Sequence, residues 1–413
     1  RLPAWFATIG IVWLTWCLAN HARGAAVARW STLVLSTMAL TYISAGAVMT
    51  DTFLVFGTTL SLVSMWFVLS GRSDYWRWWF FVGLAIGLLS KGPLAVVLTV
   101  TPLVLWAAIF RQQLQPLKKL PWLLGSLLTL AIAVPWYVLA ELKTPGFLNY
   151  FIIGEHFSRF LDPGWAGDLY GSAHDRPKGM IWIFWLWASF PWGIIGLVGF
   201  GLAAARGKTK DIFTGAVQDA STLYLLFCAI TPMLFFTLAG NTLWTYILPS
   251  LPFSAILIAG WVSKLDLGAW SRVRSGAVLL VPVLITLVVF ISVSGVIPLK
   301  TEKQLISRYE SIHQAGDSPI FYIGEMPFSA RFYSLGDAVE IISTEFNSLL
   351  EADGYARVFA VIPNHAVDEV LGPRATDAQK LGENERYQLF SIDLPPTDSQ
   401  NDPVDSELNS KND

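Results

Sequence analysis

Residues 78–110 are WWFFVGLAIGLLSKGPLAVVLTVTPLVLWAAIF, and Lys91 is the one charged residue among them. A membrane-spanning helix needs about 17–25 apolar residues, so this stretch is too long for one ordinary crossing. Gly92 and Pro93, which follow Lys91, are typical turn residues. The stretch is therefore either one overlong helix or two short crossings joined by a turn at Lys91. This choice decides on which side of the membrane each later loop lies.

The composition of the 413-residue chain is that of a membrane protein. Hydrophobic residues make up 54% of it and charged residues 14%, whereas soluble domains average about 25% charged residues. The 19 Trp agree with this, because indole rings favour the membrane–water interface. The net charge of −2 and the scattered basic residues do not indicate a nucleic-acid-binding surface. Cys17 and Cys228 lie inside apolar runs, which argues against a disulfide framework or a metal cluster.

Ten apolar runs precede residue 297, and most of them are long enough to cross a bilayer. They lie at residues 4–20, 30–48, 52–70, 78–90, 94–110, 122–140, 180–204, 221–239, 246–262 and 276–296. We therefore predict an all-α polytopic membrane domain of about ten transmembrane helices over residues 1–296. Within it, residues 141–179 form an outer juxtamembrane loop.

The distribution of basic residues favours the turn at Lys91. If each run crosses once, five short loops on one side carry thirteen basic residues. These are Arg23, Arg29, Arg72, Arg77, Arg111, Lys118, Lys119, Arg206, Lys208, Lys210, Lys264, Arg272 and Arg274. The loops on the other side carry five: Lys91, Lys143, Arg159, Arg176 and Lys178. A single helix over 78–110 would break this pattern, so the positive-inside rule predicts ten crossings with both chain ends outside. The unusual polar features then all face outward: Asp51, Lys91, 141–179, 241–246 and the C-terminal domain.

The last part of the chain differs from the rest. Residues 297–395 contain a predicted helix at 300–315 and four predicted strands at 319–324, 338–342, 357–363 and 386–393. Strands that alternate with helices predict a small soluble α/β domain. The tail 396–413 is acidic, polar and free of aromatic residues, so we expect it to be disordered.

Asp51 and Lys91 are the first candidates for a functional site. Asp51 lies at the outer end of an apolar run, with no basic residue near it in the sequence. It takes part in a polar site, or Asp51 or Thr50 caps the helix that follows, and both roles can hold together. Lys91 has no carboxylate within 15 residues on either side. It either anchors the helix by snorkelling to the interface or holds a lipid-linked phosphate as a point charge.

The outer segment 141–179 is too long for a simple connector and mixes charged with aromatic residues. Residues 151–160 suit an amphipathic helix in the interface, in which His156 and Arg159 share a face. That helix either only lies on the surface or supplies both side chains to a site. A metal site from Glu155, His156, His174 and Asp175 is weaker, because their spacing fits no standard pattern. Tyr246, which opens a later helix, either donates a hydrogen bond to a phosphate or sugar or belongs to the aromatic belt.

Five short motifs together resemble one enzyme family. They are MTDTFLVF (49–56), LLSKGPLAV (88–96), GEHFSRF (154–160), PW (191–192) and TYILPSLP (245–252). In this order and on one side of the membrane, they resemble the polyprenyl-phosphate-dependent glycosyltransferases of the protein O-mannosyltransferase and lipid A aminoarabinose transferase type, within the glycosyltransferase C superfamily. The small α/β domain after the last helix also resembles the bacterial aminoarabinose transferases.

The resemblance implies transfer of a sugar from an undecaprenyl-phosphate carrier, with inversion of the anomeric centre in one displacement. It implies that Lys91, His156, Arg159 and Tyr246 bind the carrier phosphate and that Asp51 is a second acidic residue near it. The sugar would be 4-amino-4-deoxy-L-arabinose or a hexose, and the acceptor lipid A, another envelope glycolipid or a protein. The location would be the bacterial inner membrane, with the C-terminal domain in the periplasm. The cofactor is unknown, and a divalent metal stays open.

The family carries its main catalytic carboxylate in a first outer loop, upstream of a sequence like the RLPAWFATIG with which this chain begins. We therefore expect the natural protein to carry an Asp in a loop that precedes Arg1. We therefore expect that the 413-residue chain by itself does not catalyse the transfer.

Two other classes of function stay open. A transporter or lipid flippase would carry charges at the middle of broken helices and show paired repeats. Most runs here lack central charges, and the two halves of the chain look unlike each other. A non-catalytic membrane scaffold would bind partners through its C-terminal domain and would need no phosphate-binding lysine.

The topology predicts that the Lys91 turn is accessible from outside the cell. A single cysteine at Lys91, in a chain without Cys17 and Cys228, should react with a membrane-impermeant maleimide on intact cells. A cysteine at Lys118, in a loop predicted to lie inside, should react only after permeabilisation. The opposite labelling pattern would contradict the predicted topology.

Overall fold

The computed structural model describes residues 1–72, 74–163, 165, 167, 176–207, 209–263, 268–294, 301–351 and 354–394. Contacts between residues divide the chain into two compact units, Arg1–Leu287 and Val288–Asp413. The division falls inside the last long apolar helix. The predicted disordered tail, 396–413, lies outside the described residues.

The described chain before residue 295 is helical. Its α-helices are α1 (Leu2–Arg23), α2 (Ala25–Ser36), α3 (Ala39–Gly46), α4 (Asp51–Leu69), α5 (Trp76–Lys91), α6 (Leu94–Ile109), α7 (Trp122–Lys143), α8 (Arg159–Leu161), α9 (Met180–Ala188), α10 (Trp192–Ala205), α11 (Thr209–Gln218), α12 (Ala220–Thr237), α13 (Leu251–Val262) and α14 (Gly268–Val293). A π-helix covers Asn149–Ser158, and 3-10 helices cover Arg111–Lys119 and Trp244–Ser250.

The predicted turn at Lys91 is present. Helix α5 ends at Lys91 and α6 begins at Leu94, so residues 78–110 form two helices and not one. Gly92 has a φ of 53°, a left-handed conformation that glycine adopts without steric cost. Pro93 is the N-cap residue, immediately before the first residue of α6. At this position the helix does not need the N–H that proline lacks.

Helices α4 and α5 pack with their backbones almost in contact. A Cβ atom on Gly57 would lie 2.6 Å from the carbonyl oxygen of Gly83 and 2.6 Å from the backbone nitrogen of Gly87. Ser61 Oγ also donates to the carbonyl oxygen of Phe80 at 2.8 Å. Small residues allow such an approach between membrane helices. As a result, the first residue of α4 lies near the last residue of α5.

Six of the described helices are long and apolar enough to cross a membrane, or seven if the bent pair α9–α10 counts as one span. The six are Leu2–Arg23, Asp51–Leu69, Trp122–Lys143, Ala220–Thr237, Trp244–Val262 and Arg272–Val293. The chain is therefore a multi-pass membrane protein, as predicted. The exact number of ten crossings stays a prediction.

Two apolar runs that were expected to be continuous helices are broken. The run 30–48 is divided between α2 and α3, and α9 and α10 meet at an angle of 108°. Two hydrogen bonds join the two breaks. Ala39 N–H donates to the carbonyl oxygen of Phe190 at 3.0 Å, and Trp192 Nε1 donates to Thr37 Oγ1 at 2.8 Å. Broken helices are tolerated in a membrane because neighbours satisfy the freed backbone groups in this way.

The second unit contains one mixed five-stranded sheet with helices, as the predicted α/β domain requires. The strands are β1 (Ile320–Ile323), β2 (Val339–Ile341), β3 (Arg357–Pro363), β4 (Ala378–Glu383) and β5 (Tyr387–Asp393), in the order β2-β1-β3-β5-β4. Strands β1, β2 and β3 are parallel, and β5 pairs antiparallel with β3 and β4. The helices are α15 (Lys303–Ile312), α16 (Phe328–Tyr333), α17 (Ser343–Glu351) and α18 (Val367–Leu371).

The four predicted strands are all present, but β4 was not predicted. Its sequence AQKLGE is polar, and it lies at the edge of the sheet with few buried side chains. An edge strand of this kind carries no hydrophobic alternation by which a sequence reveals it.

A buried carboxylate just before α15 makes hydrogen bonds to the sheet and to the β4–β5 connection. Glu302 is 0% exposed and accepts hydrogen bonds from Arg386 Nη2 at 3.0 Å and from Asn384 Nδ2 at 2.9 Å. The hydroxyl of Tyr322 donates to the same carboxylate. Burial, and then the nearby charge of Glu302, raise the pKa of Tyr322 well above its usual range, so the phenol stays a donor.

Glu302→Ala should loosen the second unit, because Arg386 and Asn384 lose their shared acceptor. Removing a hydrogen-bonded charged group costs about 2 kcal/mol, which corresponds to roughly 30-fold faster amide exchange. Hydrogen–deuterium exchange of β3 peptides in the full chain measures this. Glu310→Ala, an exposed change on α15, is the control. Equal exchange in both variants would contradict the role of Glu302.

Candidate functional site

A cavity of about 980 Å³ opens in the first unit where the start of α4, the Lys91 turn and the π-helix come together. The end of α12 and the segment that leads into α13 complete its wall. All five residues that the sequence proposed for a site line it: Asp51, Lys91, His156, Arg159 and Tyr246. The fold thus brings together side chains from four distant parts of the sequence.

Lys91 and Asp51 form an ion pair across the α4–α5 contact. Lys91 Nζ lies 3.6 Å from Asp51 Oδ1, and both side chains are partly buried. In the sequence each residue looked isolated from opposite charge. The alternative role of Asp51 as a helix cap is not observed: Asp51 is the first residue of α4, the N-cap is Thr50, and no side chain makes the capping hydrogen bond. A carboxylate in the first turn still suits the positive end of the helix dipole.

The helix predicted at 151–160 is present, but most of it is a π-helix, which is frequent at functional sites. Its location in the membrane interface stays a prediction. Glu155 lies at its centre and holds two neighbours. Tyr150 Oη donates to Glu155 Oε1 at 2.6 Å, and Arg159 Nη1 donates to Glu155 Oε2 at 2.8 Å. Glu155 therefore fixes the orientation of the Arg159 guanidinium. This role of Glu155 was not predicted from the sequence, although the i,i+4 spacing of the two residues is a known signal for such a pair.

His156 contacts the backbone of the Lys91 turn. Its Nε2 lies 2.8 Å from the carbonyl oxygen of Lys91, 65 residues away in the sequence, and its Nδ1 lies 2.6 Å from that of Phe151. A Cβ atom on Gly92 would lie 3.0 Å from the imidazole and 2.9 Å from the Phe151 ring. Both ring nitrogens thus face carbonyl oxygens, and the ring supports the turn that presents Lys91.

On the far side of the cavity, Asn241 connects two segments of the chain by hydrogen bonds. Its Nδ2 donates to the carbonyl oxygens of Arg159 at 2.7 Å and Asp162 at 2.8 Å, while Gly240 N–H donates to that of Phe160 at 2.7 Å. These bonds hold the C-terminal end of the π-helix segment against the end of α12. Tyr246, on the next turn of chain, is half-buried and packs its ring 4.7 Å from that of Phe236.

The cavity combines charged groups with apolar walls. Among the described lining residues, Lys91 and Arg159 carry fixed positive charge; Lys91 lies beside the carboxylate of Asp51 and Arg159 beside that of Glu155. Aromatic side chains make up much of the remaining wall, including Trp136, Phe147, Phe151, Phe157 and Phe235. This arrangement suits an amphiphile with an anionic head, since the cations bind the head and the rings bind the chain.

Within the described residues, no three His, Cys, Asp or Glu side chains are grouped so as to hold a metal ion. Of the four residues considered for a metal, Glu155 and His156 line the cavity, whereas His174 and Asp175 lie outside the described residues.

Gly92→Ala should destabilise the first unit. A Cβ atom at φ 53° is strained and would push into the Phe151 and His156 rings, for a combined cost of about 2 kcal/mol. We expect the thermal unfolding midpoint in detergent to fall by a few degrees. Gly46→Ala is the control, because a Cβ atom there meets nothing within 4 Å. Equal midpoints would show that the turn does not need glycine.

Known proteins resemble the chain in sequence and in fold. A sequence profile described as dolichyl-phosphate-mannose-protein mannosyltransferase matches residues 1–151. The chain is 29% identical over 288 residues to undecaprenyl phosphate-alpha-4-amino-4-deoxy-L-arabinose arabinosyl transferase 1 of Pseudomonas fluorescens, covering 67% of the chain and 45% of that protein. It is 31% identical over 216 residues to a transferase 2 of the same description from another strain of that species, covering 50% and 33%. The chain thus spans less than half the length of these relatives.

The fold matches a solved structure over most of the chain. The crystal structure of ArnT from Cupriavidus metallidurans bound to undecaprenyl phosphate aligns with a TM-score of 0.73 and 15% identity, covering 95% of this chain and 84% of that one. The same protein in the apo state aligns with a TM-score of 0.71. At this identity the match concerns the fold. The chain is thus similar in sequence to undecaprenyl-phosphate aminoarabinose transferases and similar in fold to ArnT, the kind of protein that its motifs resemble.

Proposed function

We propose that the protein is an inner-membrane glycosyltransferase that moves a sugar from an undecaprenyl-phosphate carrier to an acceptor on the periplasmic side. The observation that carries this proposal is the convergence of Lys91 and Arg159 on one cavity with aromatic walls. The named activity of the relatives and the undecaprenyl phosphate bound by the ArnT of similar fold support the same substrate class.

The carrier phosphate binds between Lys91 and Arg159 in this proposal. The 3.6 Å separation of Lys91 and Asp51 is longer than that of a close charge-assisted hydrogen bond, about 2.7–2.9 Å, so a phosphate can compete for the ammonium. Glu155 holds one edge of the Arg159 guanidinium and sets its orientation towards the head group. Tyr246 supplies a further hydrogen bond, and the aromatic wall contacts the isoprenoid chain.

His156 contributes to phosphate binding mainly by supporting the turn after Lys91. Because both of its ring nitrogens face carbonyl oxygens, we propose that His156 acts on the phosphate through Lys91, whose turn it supports. Asp51 keeps the Lys91 side chain directed into the cavity, which is consistent with a second acidic residue near the phosphate.

The reaction is a single displacement at the anomeric carbon. An acceptor hydroxyl attacks this carbon, the bond to the phosphate oxygen breaks, and the electron pair leaves with the phosphate. The positive charge of Lys91 and Arg159 stabilises the phosphate as its negative charge grows in the transition state. The acceptor hydroxyl gives up its proton to a general base as the new bond forms.

The relatives are named for 4-amino-4-deoxy-L-arabinose, and we propose this sugar first, with a hexose as the alternative. For the acceptor we propose lipid A, with another envelope glycolipid or a protein as alternatives. We also propose that the C-terminal α/β domain lies in the periplasm.

A transporter or flippase remains the second candidate, and the bent pair α9–α10 is the feature that favours it, since transporters bind substrates at broken helices. However, no residue of α9 or α10 is among the described residues that line the cavity. The charged groups instead lie at helix ends, where a transferase needs them.

Lys91→Ala should reduce sugar transfer by roughly 100- to 1000-fold, the usual loss when one group that stabilises a developing charge is removed. The assay uses membranes that carry the full-length protein and a polyprenyl-phosphate sugar. Mass spectrometry of lipid A, glycans and proteins identifies the product. Lys143→Ala, an exposed lysine on the same predicted side, is the matched control. An unchanged product spectrum in the Lys91 variant would exclude the assigned role.

A further inference from the structure

A short segment of the second unit presents five apolar side chains to solvent. They are Phe328 and Phe332, each 72% exposed, Leu335, 91% exposed, and the less exposed Val339 and Ile342. None of them belongs to the catalytic cavity. We call residues 328–342 the apolar edge, because the segment ends in β2, the edge strand of the sheet.

Helix α16 has two different faces within this edge. Ala330 is fully buried and Tyr333 packs against the core of the unit. Phe328 and Phe332 are four residues apart, so they share the opposite face. The core therefore uses one side of α16 and leaves two phenylalanines outside it.

The backbone conformation and the solvent exposure of Leu335 are both unfavourable for a leucine. Its φ of 55° is left-handed, and it is the one non-glycine residue with positive φ among the described residues. It follows the C-terminal end of α16, where helices usually place glycine. Its side chain is also almost fully exposed, so the fold gains nothing from burying it. A strained, exposed leucine indicates a contact made outside the folded unit.

We infer that the apolar edge inserts into the surface of the lipid bilayer. Helix α14 is apolar enough to span the membrane and ends at Val293, and α15 begins at Lys303. Ten residues extend at most about 35 Å, so the unit is tethered close to the membrane at a high effective concentration. Phenylalanine and leucine are the side chains that interfacial segments bury at the boundary of head groups and acyl chains.

The charge of the apolar edge defines the kind of lipid contact. It carries Arg331, Asp337 and Glu340, so carboxylates exceed basic groups. Attraction to anionic head groups cannot hold it, and apolar insertion must do so. The contact is therefore expected in neutral phosphatidylcholine bilayers and should not weaken with salt. This inference goes beyond the proposed activity and does not depend on it.

The test uses the full chain without native cysteines, reconstituted in phosphatidylcholine vesicles. Leu335→Cys carries an environment-sensitive fluorophore, and Glu369→Cys, exposed on α18, is the control site. Brominated acyl chains should quench the label at residue 335 at least twofold, at low and high salt, and leave that at residue 369 unchanged. Quenching of residue 335 by aqueous iodide instead would overturn the inference. Protection from both quenchers would also overturn it, since the edge would then contact protein.

A second variant separates insertion from folding. With the label at Asp337→Cys, the combined changes Phe328→Ser, Phe332→Ser and Leu335→Gly should reduce the quenching by brominated lipid at least twofold. Leu335→Gly alone should not lower the thermal stability, because glycine adopts positive φ without strain. Unchanged lipid quenching in the triple variant would show that these side chains do not make the contact.

Discussion

Helices α4 and α5 approach each other through Gly57, Gly83 and Gly87, and the site depends on this contact. In lipid, the hydrophobic effect does not drive helices together, so close packing between small residues and hydrogen bonds between helices must hold them. The bond from Ser61 to the Phe80 backbone is of this second kind. Because α4 begins and α5 ends at the same level, the packing brings Asp51 to Lys91.

The turn after Lys91 then becomes the centre of the cavity. Gly92 leaves room for the His156 imidazole, which bonds the carbonyl of Lys91 and joins the π-helix to the α5–α6 turn. Asn241 joins the other end of the same segment to α12. These two links act together with ring contacts of the loop, such as that of Phe160 with Phe235, to hold it in place. Lys91 also pairs with Asp51 and Arg159 with Glu155, which lowers the cost of holding charge beside membrane helices.

Hydrogen bonds also stabilise the places where two apolar runs are broken. Hydrogen bonds join the break between α2 and α3 to the break between α9 and α10, and each such bond pairs a polar group that lipid could not satisfy. They lie apart from the residues that line the cavity. In this chain, irregular backbone therefore serves both the architecture, at the breaks, and the site, in the π-helix.

The sequence by itself determined the membrane class, the apolar runs, the turn at Lys91 and four of the five strands. These features depend on composition, on local periodicity and on glycine and proline, all of which act within a few residues. It also selected the five side chains of the site, although their chemical roles stay predictions. Only the tertiary structure decided that Asp51 pairs with Lys91, that His156 supports the turn, that Glu155 orients Arg159, and that two apolar runs are broken. Each of these depends on a partner that packing brings from elsewhere, and the edge strand β4 likewise becomes a strand only through its pairing with β5.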